Sequence, residues 1–287
     1  MRENNNIQMD TYRIEFGGLK DIDLTHMFEC GQCFRWIPAG DGSGDYVGAA
    51  GKYAARASLT PGEDGSKTLS LGVTGGDEAF WRNYFDLDTD YTSIKERLVE
   101  GDPAISDAAD YGGGIRILKQ DLFETIISFI ISQNNNIPRI RKNIESICTA
   151  YGAPIGEAFG RMWYAFPEPE ALAAADIDEL NSMKLGYRSD YIKAAGRKFM
   201  DEPEPETRED GLGYFGIGPK VANCIMLFGL RQTDAFPVDT WVKHIMNDMY
   251  GFDESDVREM TDFARERFGE LAGYAQQYLF YYYRDRR

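Results

Sequence analysis

The stretch GLGYFGIGPKVANCIMLFGLRQTDAFPVDTWVKHIM, residues 211–246, decides the fold of this chain. It predicts the end of one helix, a tight turn at 215–218 and a second helix that opens with Pro219, because proline is tolerated in the first turn of a helix. The two glycines of the turn permit positive φ, and backbone N–H groups left free at a helix N-terminus bind phosphate. We therefore expect a hairpin at about 211–225 that grips a phosphate backbone without reading its sequence.

Two residues of this stretch, Lys220 and Asp239, carry potential chemistry. A lysine in the first turn after such a hairpin can form a Schiff base as a nucleophile, or it can merely contact a phosphate. Asp239 begins the next helix, where an aspartate is suited to cap the helix. A rigidly held carboxylate near the lysine can also stabilise positive charge and help to move a proton. The pair predicts a catalytic site in which Lys220 is the nucleophile and Asp239 assists it.

The chain is acidic, since its 287 residues carry a formal net charge of −16. Taken alone, this charge argues against a nucleic-acid partner, because DNA binding depends largely on neutralising phosphates. The distribution of charge matters more than its sum, however. Three stretches are locally basic, namely residues 139–142, 184–198 and 284–287. The acidity therefore weighs against DNA binding without excluding it.

Hydrophobic periodicity divides the chain into a strand-rich first part and a helical remainder. Short apolar segments between Gly, Asp and Pro clusters predict an antiparallel sheet made of TYRIEF (11–16), CFRWI (33–37), YVGAA (46–50), YAARASL (53–59) and TLSLGV (68–73). From about residue 78 the period lengthens, and the remainder is predicted to be helix after helix. The glycine tract at 110–117 is the expected junction. The predicted fold class is α+β, with domains at 1–112 and 113–287.

The cellular setting is predicted from what the chain lacks. No apolar run approaches the roughly 20 residues that cross a membrane, and the N-terminus has no basic and apolar regions typical of a secretory signal. We therefore expect a cytoplasmic, intracellular protein without a membrane partner. Cys30 and Cys33 are the only closely spaced pair among four cysteines, which suggests half a metal site or a redox pair. Without a second ligand pair, free thiols in a reducing compartment fit better.

The motifs place the chain near a known superfamily. GIGPKVANCI (216–225) followed by PVDTW (237–241) resembles the helix–hairpin–helix (HhH-GPD) DNA glycosylases, with their Gly/Pro-rich loop and catalytic aspartate. In that superfamily, a lysine at the position of Lys220 marks the members that also nick the DNA strand. The branches that carry a four-cysteine iron–sulfur cluster are disfavoured, because no cysteine follows Cys224.

Four further segments resemble the 8-oxoguanine DNA glycosylase family and occur in the family's order. They are CGQCFRW (30–36), residues 114–140, KLGYR (184–188) and YAQQYLF (274–280). The resemblance implies a TBP-like N-terminal sheet domain that contributes to the base pocket, followed by a mostly α-helical HhH-GPD catalytic domain. It also implies a monomer that needs no cofactor and no catalytic metal.

The same resemblance implies a pocket for the damaged base. Gly31 matches the glycine whose carbonyl accepts the N7–H that 8-oxoguanine has and guanine lacks. Gln276 matches the glutamine that reads the Watson–Crick edge, and Phe280, four residues later on one helical face, matches the ring that stacks on the base. Cys224 matches the cysteine on the other face of the base. Outside the family context, a turn, core packing and a buried thiol would explain these residues.

A second implied group lies where a flipped base leaves a gap in the duplex. Asn134 matches the residue that enters the gap, and Tyr187 matches the aromatic wedge beside it. Arg139 and Arg188 match the arginines that read the opposing cytosine. The alternatives are a helix cap for the asparagine and solvated surface positions for the arginines.

Contacts to the DNA backbone are implied for Gly216, Gly218, Val221 and Trp241. Trp241 departs from the histidine of animal members, although its indole N–H can donate one hydrogen bond. Tyr283 stands where the family has an aspartate near the base. Residues 214–216 read YFG where LPG is usual.

Together these patterns predict a bifunctional DNA repair enzyme. It would flip 8-oxoguanine, preferably opposite cytosine, out of double-stranded DNA, excise it through a Schiff base on Lys220 and nick the strand by β-elimination. Two alternatives remain open. One is a glycosylase of the same superfamily with another lesion specificity, and the other is a non-catalytic module that only grips DNA.

Overall fold

A computed structural model describes residues 8–286 of the chain. Residues 1–7, at the start of the predicted first domain, and Arg287, the end of the last basic stretch, lie outside the described residues. Within this range an antiparallel sheet precedes a helical domain, so the predicted α+β class is confirmed. None of the helices in this range is both long and apolar enough to span a lipid bilayer.

The first part of the chain forms a five-stranded antiparallel sheet. Its strands are β1 (Tyr12–Leu19), β2 (Ile37–Pro38), β3 (Tyr46–Ala50), β4 (Tyr53–Pro61) and β5 (Lys67–Val73). Their order across the sheet is β1-β5-β4-β3-β2. In the centre, Ala57 pairs with Leu71 and Ala55 pairs with Val73, and all four side chains are buried. One face of the sheet therefore covers an apolar core, as is usual for antiparallel sheets.

The prediction of a strand at 33–37 is wrong except for its last residue, which begins β2. Side chains hold this segment instead of a strand ladder. The Gln32 amide, directly before it, donates to the Arg116 carbonyl at 2.7 Å. Trp36 is fully buried, and its indole N–H donates to the Tyr84 hydroxyl at 2.8 Å. Tertiary contacts thus override an apolar pattern that locally resembles a strand.

Helices form most of the rest of the described chain. They are α1 (Leu24–Glu29), α2 (Glu78–Tyr84), α3 (Tyr91–Gly101), α4 (Ser106–Tyr111), α5 (Leu122–Ser132), α6 (Ile137–Tyr151), α7 (Pro169–Ala174), α8 (Ile177–Ser182), α9 (Arg188–Asp201), α10 (Arg208–Leu212), α11 (Pro219–Cys224), α12 (Thr240–Tyr250), α13 (Val257–Phe268) and α14 (Ala272–Arg286). A wider turn, Ile225–Gly229, continues α11. Short 3-10 turns at Pro103–Ile105 and Gly269–Leu271 precede α4 and α14.

The prediction of helix after helix in the second domain is wrong for one segment. Here β6 (Pro154–Ala158) and β7 (Arg161–Tyr164) form an antiparallel hairpin. Trp163 of β7 is buried in one apolar cluster with Val47 and Ala54 of the N-terminal sheet. Packing on a sheet that is distant in sequence stabilises this hairpin, so the local pattern did not reveal it.

Two larger cores organise the molecule. One lies under the sheet and includes Phe28 and Trp81. The other joins the helices from α3 to α14 and already includes Tyr91 and Leu98 of α3. The helix α3 thus packs with the helical core although it precedes residue 113. The predicted domain boundary between residues 112 and 113 stays a prediction.

A buried ionic network crosses the junction between the sheet and the helices. Asp86, just after α2, is 1% exposed and accepts hydrogen bonds from Tyr91 at 2.8 Å and from Arg231 at 3.0 Å. Lys119 lies 3.3 Å from its other oxygen. Burial alone would raise the pKa of Asp86, but the Arg231 charge and the Tyr91 hydroxyl outweigh it and hold this pKa below its usual value. Arg231 also donates to the Ile117 carbonyl at 2.8 Å, so one side chain ties three segments together.

Arg231→Met keeps the length of this side chain and removes its charge. We expect it to lower the free energy of unfolding by about 3 kcal/mol, the lower end for a broken buried pair, because Lys119 still neutralises Asp86. Chemical denaturation followed by tryptophan fluorescence measures the change.

The matched control for this prediction is Arg97→Met, which breaks an exposed ion pair with Glu270 of 2.7 Å. Exposed pairs contribute less than about 1 kcal/mol. Equal losses in the two variants would contradict a special role for the Asp86 network.

Candidate active site

The predicted hairpin is present between α10 and α11. Gly216 has a φ of 80°, and a Cβ at this position would lie 2.3 Å from the ring of Tyr191, so only glycine fits. Gly218 is the N-cap of α11 and supplies no capping side chain. The backbone N–H groups of Lys220 and Val221 in the first turn are therefore left without a helical partner. This geometry suits an anion such as a phosphate.

Lys220 is half-buried in the first turn of α11. Its Nζ lies 5.3 Å from the centroid of the Phe129 ring, and its charge acts on the Cys224 thiol one turn later. Burial raises the pKa of Cys224 to about 11, and the lysine opposes this shift only in part. The thiol thus stays protonated and presents a neutral, polarisable surface beside the amine.

Asp239 is the N-cap of α12, as its position in the sequence suggested. Its carboxylate accepts the backbone N–H of Val242 at 2.9 Å, which fixes the orientation of the side chain. Asp239 and Lys220 line the same cavity, although no direct ion pair joins them. A capped carboxylate beside an amine can stabilise positive charge that develops between them.

This cavity unites residues from both domains. Its lining consists of Cys30, Gly31, Phe129, Lys220, Cys224, Phe228, Pro237, Asp239, Gln276, Gln277 and Phe280. All six residues predicted for catalysis and base binding are among them. The cavity volume is about 40 Å³, close to the share of one water molecule in the liquid. Side chains must therefore move before a base can enter.

Gly31 and Phe280 face each other across the cavity. Gly31 has a φ of 81°, and a Cβ there would lie 3.3 Å from the Phe280 ring. The Gly31 carbonyl accepts no hydrogen bond from any residue in the described range. Arg284, one turn after Phe280, donates to the Glu29 carbonyl, and its guanidinium lies 5.6 Å from the Phe280 ring centroid. Arg284 thereby links α14 to the loop that carries Gly31.

Sequence reasoning missed several lining residues, of which Gln277 is the most informative. Its amide nitrogen donates to the Gln276 oxygen at 2.7 Å, so it orients the side chain that was predicted to read the base. Both glutamines are buried, and the Gln277 oxygen has no partner among the described residues. The sequence signal that could have identified Gln277 is the pair of adjacent glutamines in an otherwise aromatic and apolar helix. Phe129 and Phe228, also missed, stack at 5.3 Å and form one wall.

The residues predicted for the gap lie outside the cavity, on two neighbouring loops and in the first turns of the helices that follow them. Asn134 is exposed, with a φ of 46°, and follows α5. Tyr187 is also exposed and precedes α9. Arg139 is exposed and donates to the Lys184 carbonyl at 3.0 Å, which joins the two loops.

Arg188 is buried, and its predicted role in reading the opposing base stays a prediction. Its guanidinium donates to the Leu185 carbonyl at 3.1 Å, to the Asn134 carbonyl at 3.1 Å and, through Nε, to the Gln133 carbonyl at 3.0 Å. It therefore holds the loop that presents Asn134. Trp241 lies in the first turn of α12 beside Asp239 and packs edge-on to His244 at 6.5 Å.

A much larger cavity, of about 590 Å³, lies elsewhere, where the β3–β4 turn and α2 meet the start of α5. It contains none of the predicted site residues, so size alone does not identify the site. Within residues 8–286, no cluster of three or more His, Cys, Asp or Glu side chains could hold a metal ion. Cys30 and Cys33 are buried free thiols.

Two family models cover most of the chain. The N-terminal domain of 8-oxoguanine DNA glycosylase matches residues 18–126. The HhH-GPD superfamily of base excision DNA repair proteins matches residues 127–270. The two matches thus correspond in order to the sheet domain and the helical domain.

Individual proteins give the same assignment. A probable N-glycosylase/DNA lyase of Methanothermobacter thermautotrophicus is 33% identical over 227 residues, which is 68% of this chain and 70% of that protein. The N-glycosylase/DNA lyase of Saccharomyces cerevisiae is 30% identical over 257 residues, which is 78% of this chain and 67% of that protein. The Clostridium acetobutylicum 8-oxoguanine glycosylase/lyase, solved with double-stranded DNA containing cytosine opposite to 8-oxoG, has a TM-score of 0.87 and 36% identity, with 98% of each chain covered. The chain therefore belongs to the 8-oxoguanine DNA glycosylase family within the HhH-GPD superfamily of base excision DNA repair proteins.

Proposed function

We propose that this chain excises 8-oxoguanine from double-stranded DNA, preferably opposite cytosine, and then nicks the strand. The observation that carries the proposal is the meeting of Lys220, Asp239, Gly31 and Gln276 at one cavity, although they come from both domains. We propose further that residues 1–112 act as an accessory domain and 113–287 as the catalytic domain. The protein would act as an intracellular monomer.

The chemistry begins at the lysine. The Lys220 amine attacks C1′ of the flipped nucleotide, the bond from C1′ to the base breaks, and the base leaves with a proton. Asp239 stabilises the positive charge that develops on the sugar and helps to move the lysine proton. Ring opening gives a Schiff base. Loss of a C2′ proton then breaks the C3′–O bond, so the strand is nicked on the 3′ side.

Recognition of the lesion rests on one hydrogen bond. The unpaired Gly31 carbonyl can accept the N7–H of 8-oxoguanine, whereas guanine offers a lone pair at N7. A contact of this kind is worth roughly 1–3 kcal/mol, or about 5- to 150-fold in excision. Gln276, oriented by Gln277, would read the Watson–Crick edge. Phe280 and Cys224 would cover the two faces of the base.

The opposing base would be read from the two loops. Asn134 and Tyr187 would fill the gap left by the flipped nucleotide. Arg139 uses one nitrogen on the Lys184 carbonyl and keeps other donors for a cytosine edge. Arg188 would have to exchange its carbonyl bonds before it could read a base. Gly216, Gly218, Val221 and Trp241 would contact the backbone.

The lysine mechanism is tested with Lys220→Gln, which keeps a polar side chain but removes the amine. Wild-type protein should form a covalent adduct with an 8-oxoguanine:cytosine duplex in the presence of borohydride, and the variant should form none. Lys52→Gln, at an exposed lysine of the sheet domain, is the matched control and should trap like wild type. An undiminished adduct in Lys220→Gln would refute the mechanism. No adduct with wild type would favour a binding module, and equal or better cutting of thymine glycol would refute the specificity.

Asp239→Asn separates the capping role of this residue from its charge. Asparagine caps helices as well as aspartate does, so the melting temperature should change little. The single-turnover rate of base release should fall by about 100- to 1,000-fold, as expected when a group that stabilises transition-state charge is lost. Asp176→Asn, at the N-cap of α8, should leave both quantities unchanged. A large fall in melting temperature with an unchanged rate would show that Asp239 only caps the helix.

Gly31→Ala tests the base pocket without touching the lysine. A Cβ at this positive φ would press on Phe280 and displace the carbonyl. We expect 8-oxoguanine excision to fall by about tenfold or more, the loss of one such hydrogen bond, while nicking of a preformed abasic site persists because no base must enter. Gly40→Ala, with a φ of 77° and open space around it, controls for backbone strain. Equal loss on both substrates would contradict the assigned role of Gly31.

A further inference from the structure

A groove beside the hairpin carries charge of the opposite sign to the chain as a whole. It has a volume of about 420 Å³ and lies between the hairpin and α13. Its charged lining consists of Arg208, Lys220, Arg258, Asp262 and Arg265. Four cations thus face one carboxylate in a chain with a net charge of −16. We call it the arginine groove.

The three arginines of the arginine groove form few bonds within the protein. Neither Arg208 nor Arg265 forms an ion pair with any residue in the described range. The Arg208 Nε is buried and has no hydrogen-bond partner there, which leaves this donor available to an external group. Arg258 reaches Asp262 only at 3.7 Å, with side chains 94% and 61% exposed. Such a pair leaves the arginine free to bind another anion.

The arginines of α13 are spaced to act together. Thr261, Asp262 and Arg265 lie three, four and seven residues after Arg258, which places all four on one face of the helix. Arg208 approaches the same groove from α10. Arginines from two helices therefore line a shared space, and the forked donors of arginine match phosphate oxygens.

Lys220 connects the arginine groove to the base cavity, because it lines both. A nucleotide whose base occupies the small cavity has its C1′ at the lysine amine. Its backbone phosphates then lie a few ångströms beyond the lysine, on the side of the groove. We infer that Arg208, Arg258 and Arg265 form a subsite for the phosphates of the lesion strand next to the flipped nucleotide, separate from the backbone amides of the hairpin.

This inference rests on the proposed function, because it assumes that the nucleotide enters through the base cavity. The arginine groove would bind phosphates of the lesion strand, and none of its residues belongs to the basic stretches 139–142, 184–198 and 284–287. Phosphate contacts of this kind add affinity without sequence preference and make binding depend on salt.

The test compares Arg258→Gln/Arg265→Gln with Arg13→Gln/Arg82→Gln, which removes the same charge from exposed arginines of the sheet domain. Binding to a duplex with an uncleavable tetrahydrofuran abasic site is measured by fluorescence anisotropy at several salt concentrations. The groove variant should bind about tenfold more weakly, and its slope of log affinity against log salt should be less negative by about 0.9 for each phosphate that the variant no longer neutralises. The control variant should keep the wild-type slope. Identical slopes in the groove variant and the wild type would overturn the inference.

Borohydride trapping on an 8-oxoguanine duplex at saturating protein separates this result from the proposed function. A wild type that forms no adduct but shows the salt-slope difference would refute the lysine chemistry and support the groove. A wild type that forms the adduct, together with unchanged slopes, would refute the groove alone. Equal melting temperatures of the two double variants ensure that the slopes compare folded proteins.

Discussion

The buried Asp86 carboxylate and its contact with Arg231 set the geometry on which the active site depends. A buried ion network contributes little net free energy relative to an apolar contact of the same volume. Its contribution here is directional, because hydrogen bonds from Arg231 and Tyr91 hold the carboxylate at a fixed angle. Gly31 lies on one side of this junction and Lys220 lies on the other. Catalytic groups must be held within about 0.5 Å of their productive positions, so a site with residues from both domains needs a junction of fixed geometry.

The lining of the small base cavity has a rigid part and an adaptable part. Gln276 and Gln277 are buried and bonded to each other, so a change in their orientation would leave buried amides unpaired. Phe280 is less buried; it packs against the edge of the helical core, and the Arg284 guanidinium lies 5.6 Å from its ring centroid. A cation–π contact at an exposed site is worth roughly 0.5–1 kcal/mol. Movement of the ring is therefore the least costly way to open a cavity of about 40 Å³, and the ring that closes the cavity is also placed to stack on an entering base.

Sequence reasoning located the parts of the site whose geometry is local. The turn at Gly216, the helix start at Lys220 and the cap at Asp239 each follow from a few neighbouring residues, and each appears where it was expected. The meeting of Gly31 with Phe280 could not be derived from spacing, because it depends on how two domains dock. Only the family resemblance predicted that these two residues share a pocket.

The errors of the sequence analysis have the same origin. Residues 33–37 and the β6–β7 hairpin owe their structure to distant packing partners. Arg188 is buried because the backbone carbonyls of Gln133, Asn134 and Leu185 surround its guanidinium, and its role in reading the opposing base stays a prediction. Gln277 passed unnoticed because a buried amide gives no periodic signal. Residues 33–37, the β6–β7 hairpin and the buried Arg188 each depend on contacts with segments that lie far away along the chain, whereas Gln277 bonds to its own neighbour Gln276.

The acidity of the chain is compatible with a DNA substrate because charges act over short distances in salt. At physiological ionic strength the Debye length is about 8 Å, so carboxylates on remote faces scarcely weaken binding at the arginine groove. On faces that lack cations, these carboxylates repel DNA that comes within this distance. The DNA backbone can then approach the protein most closely at the arginine groove beside Lys220. An acidic surface around a cationic groove thus reduces unproductive binding, and the net charge of −16 helps to orient the encounter.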